Sequence, residues 1–126
     1  MIGINQFGDF RKFRMWCDDI LMENKSIVAV LKEYGERGVK ALEETTPKKT
    51  GLTSRSWYYK ISKENGNYIL SWNNSNIQNG NNIAQLIFDG HGTANGKYIP
   101  GIDYISPAIE PIMNDFNSQI ERGVFK

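Results

Sequence analysis

Apolar residues recur every three or four positions between residues 27 and 42, and this spacing predicts a long amphipathic helix. Its apolar face consists of Ile27, Val30, Leu31, Tyr34, Gly38, Ala41 and Leu42. Ser26 can cap the amino-terminal end, and Pro47 stops the helix because it disfavours the α conformation at the residue before it. Gly35 and Gly38 each cost about 1 kcal/mol relative to alanine inside a helix. The pair therefore predicts a bend or the close approach of another element.

A shorter helix is predicted before the long one, within residues 1–25, with Asp9 as its N-cap. One face of this amino-terminal helix would carry Phe10, Phe13, Cys17, Ile20 and Leu21. Outside that face lie Met15, Trp16 and Met22. A helix that is apolar on more than one side packs on two surfaces. The second surface is either the rest of the chain or another subunit, and Trp16 is the candidate subunit contact.

The stretch Thr46 to Ser56, T-P-K-K-T-G-L-T-S-R-S, marks a change from helical to extended patterning. Gly51 is placed to adopt a positive φ in a turn, and Leu52 is the apolar residue expected to anchor it. We treat the exposed part of this turn as a candidate interface with a subunit or partner. That candidate set comprises Lys48, Lys49, Thr50, Gly51 and Leu52.

Two runs of strand-forming residues, 56–62 and 68–72, flank Asn65-Gly66, a dipeptide typical of hairpins. Apolar residues alternate along the second run, so one face of the hairpin is expected to bury aromatic rings against the long helix.

The asparagine-rich segment 73–82 is expected to be a mobile loop, because its composition cannot build a core. Residues 83–88 are apolar and too short for their periodicity to decide between strand and helix. A glycine-rich segment, predicted to be another flexible loop, follows at 89–101.

A final helix is predicted to end at Gly123 and to begin with Ser106 as N-cap and Pro107 as its first residue, with Pro111 kinking it or delaying its regular start. The chain therefore predicts a single α+β domain over residues 1–126. It would have amino-terminal helices, an antiparallel β-sheet built on the hairpin, and a carboxy-terminal helix packed on that sheet.

Charge is unevenly placed along a chain whose formal net charge is only +1. Residues 48–63 carry five basic and no acidic side chains, which leaves −4 on the remainder. The five cations, which are the candidate DNA-facing residues, are Lys48, Lys49, Arg55, Lys60 and Lys63. Such a segment is compatible with a surface through which subunits meet head to tail or with a surface that faces a polyanion. It is equally compatible with a solvated hairpin whose charge is neutralised by its neighbours.

Motifs for catalysis are sparse. The sequence lacks a phosphate-binding loop, a Gly-x-Ser-x-Gly elbow and a His-Glu-x-x-His pair. His91 is the only histidine, and Asp89-Gly90-His91-Gly92 could hold a metal of a small hydrolase or lie at a subunit contact. We favour the contact, and predict neither cofactor nor metal.

The single cysteine excludes a disulfide within the chain. No run is apolar enough for a signal peptide or membrane span, so we expect a soluble protein made in the cytoplasm.

Three segments, taken in order, resemble the minor tail-component family of long-tailed bacteriophages, the tail-completion or head–tail joining proteins. The first is the turn with Pro47, Thr50, Gly51 and Ser56, which matches a P-x-x-T-G-x-L-x-x-S pattern except that leucine comes one place early. The second is I-A-Q-L-I-F-D-G-H-G-T at 83–93, which keeps the shape of the family's glycine segment. The third is Y-I-S-P-A-I-E at 104–110, which contains the Pro-Ala step.

The resemblance covers roughly residues 26–120 and implies a structural protein of the virion, without enzymatic activity or cofactor. Such proteins form a ring, with six subunits as the expected number, at the tail neck. The implied partners are further copies of the chain, the tail-tube or tail-terminator protein and the head connector. DNA passing through the bore is a further possible contact. A non-specific nucleic-acid-binding domain that uses the basic hairpin at 48–63 is the alternative.

Overall fold

The structure, a computed structural model, describes residues 2–6, 13–18, 27–48, 51–64 and 67–121. Its helices are α1 (Ile27–Thr45), α2 (Leu52–Arg55), α3 (Ile83–Asp89) and α4 (Ser106–Glu121). Its strands are β1 (Ile2–Gln6), β2 (Phe13–Asp18), β3 (Trp57–Glu64), β4 (Asn67–Asn74), β5 (Ile77–Gln78), β6 (Asn81–Asn82), β7 (Gly90–Gly92) and β8 (Tyr98–Pro100). The predicted α+β class is confirmed.

Four antiparallel strands in the order β1-β2-β4-β3 form the main sheet. The predicted hairpin is confirmed as β3 and β4, which pair from Trp57 with Asn74 to Glu64 with Asn67. Asn65-Gly66, on which that prediction rested, lies outside the described residues. On its other side β4 pairs with β2 from Arg14 with Ser71 to Asp18 with Asn67.

The predicted amino-terminal helix is wrong where its residues are described. Residues 13–18 form β2, which pairs with β1 and β4, and residues 9–12 and 19–25 lie outside the described ranges. Phe13, Met15 and Cys17 alternate along the sequence, and Phe13 and Cys17 also fall at helical spacing, so the segment fits either periodicity. Pairing with β4 decides the outcome in favour of a strand.

The long helix α1 ends as predicted, one residue before Thr46 and Pro47. A Cβ on Gly35 would lie 2.6 Å from the Tyr59 ring, and a Cβ on Gly38 would overlap the Trp72 indole. The indole nitrogen of Trp72 also donates a 3.0 Å hydrogen bond to the Gly35 carbonyl. The glycine pair therefore allows the helix to approach the sheet closely, which is one of the two predicted outcomes.

Helix α4 packs beside α1, and both contribute to one core with the apolar face of the sheet. Tyr34 and Phe116 meet edge to face with ring centroids 4.9 Å apart. Among the described residues, the largest side chains that are almost completely buried are Trp72, Phe116, Leu31, Leu42, Leu70, Ile105 and Ile109. The helix is assigned from Ser106 onward although Pro111 lies within it, so its regular start is not delayed. No helix in the described ranges is long and apolar enough to cross a bilayer.

Candidate subunit interface

The three segments that carry the family resemblance meet around two buried aromatic rings. The Trp57 indole nitrogen donates a 2.9 Å hydrogen bond to Thr46 Oγ1, beside the first segment. The Tyr104 hydroxyl, in the third segment, donates a 2.8 Å bond to the Ala84 carbonyl in the second. The rings of Trp57 and Tyr104 contact each other with centroids 6.4 Å apart. Segments distant in sequence therefore form one packed unit.

The asparagine-rich segment is part of this unit and is not the mobile loop that we predicted. Asn74, Asn76 and Asn82 are each at most 7% exposed. Asn74 Nδ2 donates to the Thr53 carbonyl at 2.8 Å, and Asn76 Nδ2 donates to Thr53 Oγ1 at 2.9 Å. Because an amide both donates and accepts, these side chains can be buried without leaving polar atoms unpaired.

Helix α3 is set in place by Asn82, whose side chain is bonded at both ends. Asn82 Nδ2 donates to the Asn74 carbonyl at 3.1 Å, and Asn82 Oδ1 accepts from the Gln85 amide at 3.2 Å. The second bond caps α3, which resolves the undecided segment 83–88 as helix. The amide network thus connects the turn at Thr53 to the helix that leads into the glycine-rich segment.

The glycine-rich segment forms a two-stranded ribbon, β7 and β8, so the prediction of a flexible loop is corrected. Gly90 bends the chain away from α3 with φ of +85°, which favours glycine. The base of the ribbon is fixed by hydrogen bonds from the Ile102 amide to the Ile87 carbonyl at 3.0 Å and from the Tyr98 hydroxyl to the Asp89 carbonyl at 3.2 Å. The ribbon therefore has a defined direction relative to the core.

Large apolar side chains on and after β8 are left in solvent. Tyr98 is 64% exposed, Ile99 is 46% exposed and Ile102 is 53% exposed. Exposed apolar side chains grouped in one short stretch of the chain make this part of the ribbon a candidate interaction site. The predicted contact residues Asp89, Gly90, His91 and Gly92 lie at the end of α3 and in β7, beside these side chains.

His91 pairs with Ile99 across the ribbon and is partly buried. Its Nδ1 is buried and has no hydrogen-bond partner among the described residues. Within those same residues, no group of three or more histidine, cysteine or acidic side chains is placed to hold a metal ion.

The turn around α2 exposes part of the other predicted contact surface. Gly51 has φ of +81°, which confirms the predicted positive φ. Leu52 is 41% exposed, so it is not the anchor that we expected; Thr53 and Ser54 are the buried residues of α2. Lys48 is exposed, whereas Lys49 and Thr50 lie outside the described residues.

The structure does not gather the five candidate DNA-facing cations on one face. Lys60 and Lys63 are an odd number of positions apart on β3, so they leave opposite faces of the sheet. Lys63 Nζ lies 5.0 Å from the centre of the Tyr68 ring, on the face that packs on α1. Arg55 is exposed at the end of α2, and Trp16, the remaining contact candidate, pairs with Ile69 in the main sheet.

In the described ranges, the ionisable groups whose pKa is shifted stabilise the fold that positions these surfaces. Hydrogen bonds from Arg37 and Tyr34 lower the pKa of Asp115, and burial together with the bond to Asp115 raises the pKa of Tyr34 to about 12. Burial raises the pKa of Tyr104. Burial alone would raise the pKa of Asp103. Hydrogen bonds from Ser106 and Ile105 outweigh this effect, so the pKa is lowered.

Helix α4 is therefore capped differently from our expectation. Asp103 Oδ1 accepts from the amides of Ile105 and Ser106 at 3.2 and 3.0 Å, and Ser106 itself is already helical.

Two features of the site escaped sequence reasoning. The exposed residues of β8 looked like part of a loop because glycines surround them, although Tyr98-Ile99 is a short strand-forming pair. Nothing local in the sequence signals the burial of Asn74 and Asn76, since their partner Thr53 lies more than twenty positions earlier in the chain.

Comparisons of this chain with protein-family models, with curated proteins and with solved structures find no match. The family resemblance therefore rests on the sequence motifs.

Proposed function

We propose that this chain is a structural protein of the head–tail junction of a long-tailed bacteriophage or prophage. In this proposal copies of the chain assemble into a ring, with six as the expected number, that completes the tail and joins it to the connector. The protein acts through its shape and its contacts and carries out no bond chemistry. Its place in the particle is the tail neck, after synthesis in the bacterial cytoplasm.

The observation that carries the proposal is the exposed apolar surface of Tyr98, Ile99 and Ile102 beside the β7–β8 ribbon. Three large apolar side chains are exposed within one short stretch, and their burial against another subunit would be favourable. The class of assembly comes from the motif resemblance, whose three segments pack together around Trp57 and Tyr104. A small domain can close a ring by repeating a single heterologous contact.

The alternative, a nucleic-acid-binding domain, is less well supported. A footprint on DNA needs cations that track the phosphates together, whereas Lys60 and Lys63 leave opposite faces of β3. DNA affinity that falls steeply with salt, and that is lost when Lys48, Arg55 and Lys60 become glutamine, would favour this alternative over the ring.

Light scattering and negative-stain imaging test the proposal. The chain is measured alone and then mixed with the major tail protein and the connector protein encoded in the same locus. We expect rings of the chain alone, or rings that form on tail tubes. A chain that stays monomeric in every mixture, or a locus without tail and connector genes, contradicts the proposal.

A further inference from the structure

A groove lies between α1 and the outer edge of β3. It has a volume of about 330 Å³ and is lined by residues 57–59 and by Glu36, Val39, Lys40 and Glu43 of α1. Consecutive strand residues point to opposite faces. Because the lining includes three residues in a row, we place the groove along the strand's edge. β3 is the last strand of the sheet in the described residues, so this edge is where another strand can add.

The β7–β8 ribbon offers a strand that could add to this edge. β8 pairs with β7 on one side only within the described residues, and it presents Tyr98 and Ile99 to solvent. β8 has three residues, the same number as the consecutive β3 residues that line the groove. The base of the ribbon is closely packed, because a Cβ at Gly101 would overlap the Phe88 carbonyl.

Charge also favours a second copy as the occupant. Lys97 is the only charged side chain in residues 90–100, so this ribbon segment carries +1. The groove carries Glu36 and Glu43 against Lys40, or −1. Opposite charges at the rim orient a contact more than they strengthen it. They would set the direction in which β8 enters.

We propose that β8 of one copy lies along the α1–β3 groove of the next copy, where it extends the main sheet and places Lys97 beside Glu43. This inference rests on the proposed ring, since a ribbon-to-groove contact joins two different surfaces and repeats from copy to copy. A strand of the tail-tube or connector protein in the same groove is the competing occupant, which the experiment below distinguishes.

Cross-linking tests the contact directly. Lys97→Cys and Glu43→Cys are made separately in a Cys17→Ala background, mixed in the assembly conditions and treated with a short bismaleimide. The expected product is a mixed dimer, absent from either variant alone, and a ladder of higher multimers when one chain carries both substitutions. Assembly without the mixed dimer overturns the proposed contact and leaves the ring intact. A dimer between Glu43→Cys and a cysteine variant of the tail-tube or connector protein overturns it in favour of that occupant.

A pair of isoleucine variants gives an independent readout by light scattering. Ile99→Asp is expected to weaken self-association by at least about tenfold, because burial of one large apolar side chain is worth more than the corresponding 1.4 kcal/mol. The matched control is Ile77→Asp, which changes an isoleucine that is 57% exposed on β5. Equal association of both variants overturns the contact, whereas a wild-type chain that never assembles in any mixture contradicts the proposed function itself.

Discussion

Replacing Gly38 by alanine tests how closely α1 approaches the sheet. The added methyl group would overlap the indole of Trp72, which is fully buried and bonded through its nitrogen to the Gly35 carbonyl. Alanine is a better helix former than glycine by about 1 kcal/mol, so on an open helix face this substitution would stabilise the protein. In this structure the packing conflict should reverse the sign.

The size of the effect follows from three contributions. Forcing an extra carbon into a packed core costs roughly 1–3 kcal/mol. If the indole moves, its buried nitrogen loses its acceptor, which costs about 1–3 kcal/mol more. After the gain in helix propensity, the net loss of stability is about 3 kcal/mol, or roughly 10 °C in melting temperature for a domain of this size.

Calorimetry or circular dichroism measures this change, and two further variants locate its cause. Gly35→Ala should cost less, because its methyl group meets the Tyr59 ring, which is only partly buried and can turn aside. In a Trp72→Phe background, which lacks the indole nitrogen, Gly38→Ala should cost at least about 1 kcal/mol less than in the wild type. A rise in melting temperature for Gly38→Ala, or an identical cost in both backgrounds, would refute the close approach.

Three smaller predictions concern polar groups and are read from urea denaturation. Asn76→Ala should cost about 1–3 kcal/mol by leaving Thr53 Oγ1 without its donor. The exposed Asn81→Ala should stay within about 0.5 kcal/mol of wild type, and equal effects of the two would disprove the network. Asp103→Ala should cost about 1 kcal/mol at neutral pH. Because the folded pKa is below the ordinary 3.8, the part of this difference that depends on the carboxylate charge is lost as pH falls through the folded value, and a pH-independent difference contradicts it. Tyr104→Phe should cost about 1 kcal/mol at neutral pH. Because burial raises the pKa of Tyr104 in the folded state, the wild type loses this stability as pH rises above 10.0, whereas the variant does not. Curves of unfolding free energy against alkaline pH that run parallel for the two proteins would count against the assignment.

The helix α1, the β3–β4 hairpin and α4 could be predicted because each has a local signal. α1 has an apolar stripe that ends at Pro47, and the hairpin has alternation around Asn-Gly. The strand β2 could not be predicted, because its residues fit two periodicities and the choice depends on β4, about fifty positions away in sequence. Local patterning cannot report a partner at that distance.

The candidate interface was predictable in part for a similar reason. Residues 89–92 stood out through their glycines, but the exposed apolar side chains of Tyr98 and Ile99 only became a surface when β8 paired with β7. The prediction of a mobile loop at 73–82 was wrong because composition describes only what residues prefer on average. A buried amide depends on a specific partner, here Thr53, that composition does not reveal.

The joint between the turn at Thr53 and helix α3 is built from carboxamides, a hydroxyl and backbone groups. None of these groups titrates in the range where proteins function, and none carries a formal charge for dissolved ions to shield. The joint's strength should therefore be the same in acidic or alkaline media and in dilute or concentrated salt. A protein that moves between solutions of different pH and ionic strength would keep this part of its architecture unchanged.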